Sequence, residues 1–217
     1  HQAVIFDARR VAQNTGVPLA LLTFEPHPRE VLGQMDGPFR LTPFRIKLRE
    51  IARLGVDILY LLRFDENMAS LAADDFIDRL LVGGLGVSHV VVGYDFAFGR
   101  RRGGNFALLQ ERSEFGGYQV SQVSVKGTDY GKYSASEARA RLVAGDVAGA
   151  AEILGRPWEI EGRVQHGERR GRKLGFATAN IAVAGTLHPA HGVYALWAGI
   201  DRGAGDGPEW RPAVANL

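Results

Sequence analysis

Two loops that follow predicted strands carry side chains that could bind a ligand. His27 lies between two prolines, and because both rings restrict the backbone, its imidazole is held in one place. A later loop carries Asp95, Phe96, Phe98 and Arg102, so a planar ring could stack on either phenylalanine while the arginine neutralises an anionic tail. Alone, the first pattern is more typical of a rigid loop. The second also fits core phenylalanines beside a basic turn, but the convergence of aromatic and basic groups at a strand end favours binding.

A third segment combines a basic, glycine-rich loop with two oxygen donors. Thr178 and Asn180 are two residues apart, so on a strand they would face the same side. A hydroxyl and an amide carbonyl suit Mg²⁺, which takes its other ligands from water and phosphate. An ordinary glycine-rich hairpin would look similar. The glycines that would allow close approach to phosphates are Gly162, Gly167, Gly171 and Gly175.

The elements that must position these loops alternate between helix and strand over residues 1–125. Such alternation predicts right-handed βαβ crossovers and a doubly wound, Rossmann-like parallel sheet, in which ligands bind beyond the carboxyl ends of the strands. Ser70 is the expected N-cap of the third helix. The predicted helices are 1–16, 42–55, 70–86 and 105–117, and the predicted strands are 17–24, 56–64, 88–96 and 118–125.

The pattern changes after a predicted helical pair at 134–155. Short, alternating runs broken by glycine and proline then follow, which is typical of a small antiparallel β-barrel. We therefore predict an α/β domain over 1–155 and a barrel domain over 156–217. Because the chain begins inside a helix and the barrel has about 60 residues, we expect the first domain to lack its first strand and the barrel to be incomplete.

Composition and missing motifs exclude several classes of protein. The chain has 217 residues, 46% hydrophobic and 23% charged, which excludes general disorder. It has no cysteine, and a net charge of +2 is too small for a dedicated nucleic-acid binder. No apolar run approaches the roughly 18 residues of a membrane span, and we see no signal peptide. P-loop, G-x-G-x-x-G, zinc and G-x-S-x-G motifs are absent. We expect a cytoplasmic protein with no nucleic-acid or membrane partner.

Six segments of the chain occur in a recognisable order. They are HQAVI, TFEPHPRE, VVVGYDFAFG followed by Arg102, SASEAR at 134–139, AGDVAGAAEILGRPW, and GRVQHGERRGRKLGFATAN. In this order they resemble the motifs of the bifunctional riboflavin kinase/FMN adenylyltransferases, the prokaryotic FAD synthetases. The resemblance covers essentially the whole chain.

The resemblance implies two reactions in two domains. In a riboflavin kinase barrel, riboflavin would take the γ-phosphate of ATP to give FMN. In a nucleotidyltransferase domain, FMN would attack the α-phosphate of a second ATP to give FAD and pyrophosphate. Mg²⁺ is the implied cofactor, and ATP, riboflavin and FMN are the implied substrates.

The resemblance also assigns roles to individual residues. His1 and Arg139 are implied as the catalytic residues of adenylyl transfer. Ser134 and Ser136 would bind ATP at a helix N-terminus, where free N–H groups and the helix dipole favour phosphate. The implied ATP-binding residues are His1, Ser134, Ser136, Arg139, Gly162 and Gly175, the implied flavin-binding residues are His27, Asp95, Phe98 and Arg102, and the implied magnesium ligands are Thr178 and Asn180.

The sequence departs from the family pattern at several positions. Ala135 and Ala138 replace a serine and an isoleucine, Ser136 replaces a threonine, and Ala177 replaces a proline. The first histidine of the family's H-x-G-H motif and the C-terminal glutamate of the kinase are not in the chain. An adenylyltransferase with an inactive kinase barrel is therefore an alternative. A flavin-binding or RNA-binding regulator is a second alternative. It is disfavoured because a regulator would not need both His1, the remaining histidine of H-x-G-H, and the pair Thr178 and Asn180.

Overall fold

The computed structural model describes residues 1–34, 37–124, 127–128, 131–167, 175, 178–183, 185–201 and 207–217. Gly171 and Ala177 lie outside these residues, as does the whole basic loop at 168–174. The chain divides into two compact units. Unit 1 comprises His1–Asp36 and Lys47–Lys132, and unit 2 comprises Gly37–Ile46 and Tyr133–Leu217.

Helices and strands alternate through the first part of the chain, and mostly strands follow the last two helices. The helices are α1 Gln2–Thr15, α2 Pro28–Val31, α3 Phe44–Arg53, α4 Glu66–Ser70, α5 Ala73–Asp75, α6 Phe106–Gly116, α7 Ala135–Val143 and α8 Val147–Leu154, with a π-helical segment Phe76–Val82 and a 3-10 turn Arg100–Arg102. The strands are β1 Ala20–Glu25, β2 Ile58–Arg63, β3 His89–Gly93, β4 Gln119–Val123, β5 Gly127–Thr128, β6 Gly131–Lys132, β7 Val164–Gln165, β8 Asn180–Ile181, β9 Val193–Ile200 and β10 Glu209–Asn216.

Unit 1 has two parallel strand pairs around one core, and the short antiparallel pair β5–β6 lies at its C-terminal end. β1 pairs with β2 and β3 pairs with β4, both in parallel, which confirms the α/β class. A single doubly wound sheet is not formed by the strands that the structure describes, since each pair is a separate two-stranded sheet. The pairs are joined by side-chain packing instead. Leu22 and Phe24 of β1 pack on the buried cluster that contains Val92 of β3.

The prediction of one helix over 70–86 beginning at Ser70 is wrong. Ser70 is the last residue of α4, which begins after Asp65, whose side chain accepts a hydrogen bond of 3.0 Å from the Met68 amide. After α5 the chain continues as the π-helical segment, which buries Phe76 and Ile77 in the core. Both Asp and Ser are favoured N-caps, so the residue type alone did not choose between them.

Unit 2 contains α7, α8 and the last four strands. Leu41, Ala138, Leu142 and Ala150 form its buried cluster, against which Trp158 packs. β7 pairs with β8 and β9 pairs with β10, both antiparallel. Within the described part of 156–217, these two pairs do not join into a closed barrel. One face of the β9–β10 hairpin is apolar and exposed, with Val193, Trp197 and Val214 each more than 65% accessible.

Candidate functional site

The loop after β1 holds His27 through its own backbone. His27 is the N-cap of α2, and its Nδ1 accepts a hydrogen bond of 3.2 Å from the Arg29 amide. Just before it, at the carboxyl end of β1, Glu25 pairs with Lys47 at 2.7 Å, and both side chains are largely buried. The imidazole is half-buried. The His27 side chain is therefore engaged in capping α2.

The start of α1 and Asp95 converge on the carboxyl end of β3. A Cβ built on Gly93, the last residue of β3, would lie 3.6 Å from an Asp95 carboxylate oxygen and 3.8 Å from a Val4 methyl. His1 immediately precedes α1, is exposed, and makes no side-chain cap to that helix. Packing of α1 on β3 thus brings the helix start to the sheet edge where Asp95 lies.

The two phenylalanines of the loop after β3 differ in exposure. Phe98 is 7% exposed, between Phe76 at 5.2 Å and Phe96 at 5.5 Å between ring centroids. A Cβ on Gly104 would lie 2.6 Å from the Phe98 ring, so the Gly104 backbone packs against that ring. Phe96 is 38% exposed. Phe98 thus packs in the core in this structure, and Phe96 presents the more accessible ring.

The arginines of this loop lie on a tightly bonded turn. The Phe98 and Gly104 backbones exchange hydrogen bonds of 2.9 and 3.0 Å, and the Arg100 amide donates to the Leu71 carbonyl at 2.7 Å. Arg101 and Arg102 have left-handed backbones, with φ of 54° and 59°. The side chains of the 3-10 turn are exposed. A fixed backbone therefore presents Arg102 to solvent.

In unit 2, α7 carries three of the predicted site residues. Ser134 is the N-cap and accepts a hydrogen bond of 3.1 Å from the Glu137 amide, while Ser136 is exposed. Arg139 is fixed by Phe39, because its Nε donates to the Phe39 carbonyl at 2.9 Å and its guanidinium lies 4.3 Å from the centre of the Phe39 ring. Sequence reasoning missed Phe39.

The predicted magnesium ligands lie beside close glycine contacts. β8 contains only Asn180 and Ile181, so Thr178 precedes the strand, and the alternation of a strand does not fix the side it faces. Both Thr178 and Asn180 are exposed. A Cβ built on Gly167 would overlap the Asn180 amide nitrogen, so a side chain there would displace the Asn180 amide.

The two glycines implied in ATP binding differ in their surroundings. Gly162 contacts the Ile181 side chain, again without room for a Cβ. Gly175 has a φ of 80°, and a Cβ built on it would meet no atom of the described residues within 4 Å. Among the described residues, no group of three His, Asp or Glu side chains could hold a metal.

The structure thus gathers the predicted residues in groups. In unit 1, Asp95 and the helix start after His1 meet at the end of β3, and Phe98 and Arg102 belong to the loop that follows. In unit 2, Ser134, Ser136 and Arg139 share α7.

Comparison with known proteins defines the class of the chain. Residues 1–137 match the FAD synthetase family, and residues 154–217 match the riboflavin kinase family. A bifunctional riboflavin kinase/FMN adenylyltransferase of Pseudomonas fluorescens is 39% identical over 217 residues, which is 100% of this chain and 68% of the relative. The Bacillus subtilis (strain 168) protein of the same description is 38% identical over 203 residues, covering 93% and 64%. The Escherichia coli (strain K12) protein is 36% identical, covering 100% and 68%.

The chain therefore belongs to the family of bifunctional riboflavin kinase/FMN adenylyltransferases, enzymes of FMN and FAD biosynthesis. It spans about two thirds of the length of these relatives. A solved structure described as a macrolide-efflux protein from Streptococcus pneumoniae has a TM-score of 0.79 and 28% identity, covering 100% of this chain and 75% of that one. Within the described residues, no helix is long and apolar enough to cross a membrane.

Proposed function

We propose that this chain supplies residues for both reactions of its family, phosphorylation of riboflavin by residues 156–217 and adenylylation of FMN by residues 1–155. The observation that carries this proposal is the match to both families along one chain. We propose that the strands of 156–217 belong to a β-barrel.

In adenylyl transfer, an oxygen of the FMN phosphate attacks the α-phosphorus of ATP. The bond from that phosphorus to the oxygen bridging to the β-phosphate breaks, and pyrophosphate leaves. The protein contributes mainly positioning and charge neutralisation, because negative charge is redistributed over phosphoryl oxygens in the transition state. Arg139, His1 and the N-terminus of α7 at Ser134 and Ser136 are the groups we assign to the ATP phosphates.

We assign His27, Asp95, Phe98 and Arg102 to flavin. Because Nδ1 of His27 accepts the Arg29 amide hydrogen, the neutral ring carries its proton on Nε2 and can donate it to a flavin oxygen. Arg102 would bind the phosphate of FMN, and its fixed backbone reduces the entropy lost on binding. Since Phe98 is buried, its part in flavin binding would require the Phe96 ring to move.

In the kinase reaction, we assign Gly162 and Gly175 to ATP, and Thr178 and Asn180 to Mg²⁺. The fit is supported by the donor types, a hydroxyl and an amide oxygen, on two exposed side chains. Bound Mg²⁺ would neutralise part of the charge on the ATP phosphates. Thr178 and Asn180 would orient it through their oxygens.

Paired substitutions in the full-length protein test the assignment. Arg139→Ala should lower FMN-to-FAD conversion at least about 100-fold, because a charged phosphate contact is lost at the transition state. Arg141→Ala is the matched control, since Arg141 lies on the same helix but pairs with Glu137 and Asp146. Unchanged adenylyl transfer in the Arg139 variant would remove that residue from the site.

For the kinase reaction, Asn180→Ala should abolish FMN formation and leave FMN-to-FAD conversion nearly intact, with Asn216→Ala on β10 as the control. Asn180 replacement that leaves the rate of riboflavin phosphorylation unchanged would remove that residue from the kinase site. The alternative of an inactive kinase is tested by incubating the unaltered full-length protein with ATP and riboflavin and measuring FMN, whose absence would favour an adenylyltransferase only.

A further inference from the structure

Residues 39–42, which we call the strap, precede α3 in the sequence but pack with residues much later in the chain. The first of them, Phe39, holds Arg139 from two directions. Its carbonyl oxygen accepts the Arg139 Nε–H at 2.9 Å, and its ring lies 4.3 Å below the guanidinium. A carbonyl at the edge and a ring at the face together restrict both the position and the tilt of the planar group.

The strap is in turn fixed by residues that match the riboflavin kinase family. Arg40 forms a parallel bridge with Thr186, and its carbonyl accepts the Leu187 amide at 3.0 Å. The Leu41 carbonyl accepts the indole N–H of Trp158 at 3.0 Å. Both bonds connect a segment within residues 1–137, the FAD synthetase match, to residues within 154–217, the riboflavin kinase match.

Two further contacts complete the strap. Arg156 donates to the Thr42 hydroxyl at 3.1 Å. Leu41 is 8% exposed and packs in the cluster that contains Ala138, the residue before Arg139, with Trp158 against it. Consecutive residues of the strap are therefore bonded to separate parts of unit 2, and a shift at one of them displaces the next, because the peptide backbone between them has few free dihedrals.

We propose that Phe39 is a positioning residue for Arg139 and that adenylyl transfer depends, through the strap, on Trp158. This inference rests on the proposed role of Arg139 in adenylyl transfer. An arginine side chain has several rotatable bonds, and holding it in one geometry before substrate binds removes an entropy cost from the transition state. The strap supplies that geometry and is itself held by Trp158 and Leu187, which belong to the riboflavin kinase match.

Substitutions at Phe39 test the first half of the proposal. Phe39→Leu keeps an apolar side chain but removes the ring, so kcat for FMN-to-FAD conversion should fall about ten-fold while KM for ATP changes less than about two-fold. Phe39→Tyr keeps the ring face and should restore most of the rate. A Phe39→Leu rate equal to that of the unaltered protein would overturn the proposal, as would a Phe39→Tyr variant as slow as Phe39→Leu.

Trp158→Phe tests the second half, since it keeps the aromatic packing but removes the N–H that donates to Leu41. It should slow adenylyl transfer about three-fold to ten-fold. Trp197→Phe is the matched control, because Trp197 is 67% exposed on β9 and should leave the rate unchanged. Equal rates in the two tryptophan variants would overturn the dependence on Trp158.

A measurement on the substrate-free, full-length protein separates this inference from the proposed function. The Phe39 ring should shift the NMR signal of the Arg139 Nε–H, and both Phe39→Leu and Trp158→Phe should move that signal. If the signal moves and Arg139→Ala abolishes adenylyl transfer while Phe39→Leu does not slow it, the positioning role is wrong and the proposed function stands. If Arg139→Ala itself has no effect, the proposed role of Arg139 fails, and this inference with it.

Discussion

Replacing Gly99 by alanine should disrupt the loop that carries Arg102 more than its small size suggests. Gly99 has φ 72° and ψ 176°, a backbone region populated almost only by glycine. A Cβ at this position would lie 2.7 Å from the Cα of Ala73 and 2.8 Å from its backbone nitrogen. Backbone atoms cannot rotate away as the end of a side chain can, so either the loop or α5 must shift.

The expected loss of stability follows from three contributions. The unfavourable φ and ψ cost about 1–3 kcal/mol, and the overpacking against α5 costs about 1–3 kcal/mol. Alanine also lowers the conformational entropy of the unfolded chain, which stabilises the folded state by about 0.4–1 kcal/mol. The net effect of Gly99→Ala is a decrease of about 3 kcal/mol in the free energy of unfolding.

Gly86→Ala is the matched control for this substitution. Gly86 has a φ of 61°, but no atom in the described part of the chain lies within 4 Å of a Cβ built there. Only the backbone contribution applies, and a decrease of about 1 kcal/mol is expected. Urea unfolding of both variants, with midpoints and slopes compared, measures the difference. Equal losses in the two variants would refute the close approach of Gly99 to α5.

Three further predictions concern single side chains. His27→Asn should keep the cap of α2, since Asn is a favoured N-cap, but raise KM for FMN about ten-fold in steady-state assays because the Nε2–H is lost, whereas an unchanged KM would exclude His27 from flavin binding. Burial raises the pKa of Tyr118 above its ordinary 10.0, so its contribution to stability is present below that value and is lost as pH rises through the higher folded pKa. Tyr118→Phe should remove this part of the alkaline dependence in urea unfolding, at a cost of about 1 kcal/mol for the hydrogen bond to Leu109, and an unchanged pH profile would contradict it. Arg101→Gly should raise the unfolding free energy by about 0.5–1 kcal/mol, since glycine adopts its φ of 54° without the steric cost, and a decrease would refute the strain.

Local signals in the sequence predicted most of the helices and strands correctly. Gly16 and Gly117 end α1 and α6 with left-handed backbones, and Asn105 caps α6 through a 3.0 Å hydrogen bond to the Leu108 amide. These signals act over three or four residues, so residue types and spacing are sufficient to recognise them. The segment before Phe76 was mistaken because Asp65 and Ser70 are both plausible caps, and tertiary burial decided between them.

Contacts between distant residues could not be predicted in the same way. Phe39 and Arg139 are 100 residues apart, and nothing in the residues around either one points to the other. The burial of Phe98 rather than Phe96 was also beyond the sequence. Both rings lie in the loop after β3, where no regular alternation distinguishes them, and only packing against Phe76 and Gly104 separates them.

The long sequence separation of the strap has a consequence for synthesis of the protein on the ribosome. Leu41 and Trp158 are 117 residues apart, so at about 5–20 residues per second the nascent segment waits about 6–23 s before its partner is made. During that time Leu41 lacks the indole N–H that its carbonyl accepts and the tryptophan ring of its cluster. Translation speed between these two codons therefore sets how long the Leu41 side chain is available to chaperones or to another nascent chain.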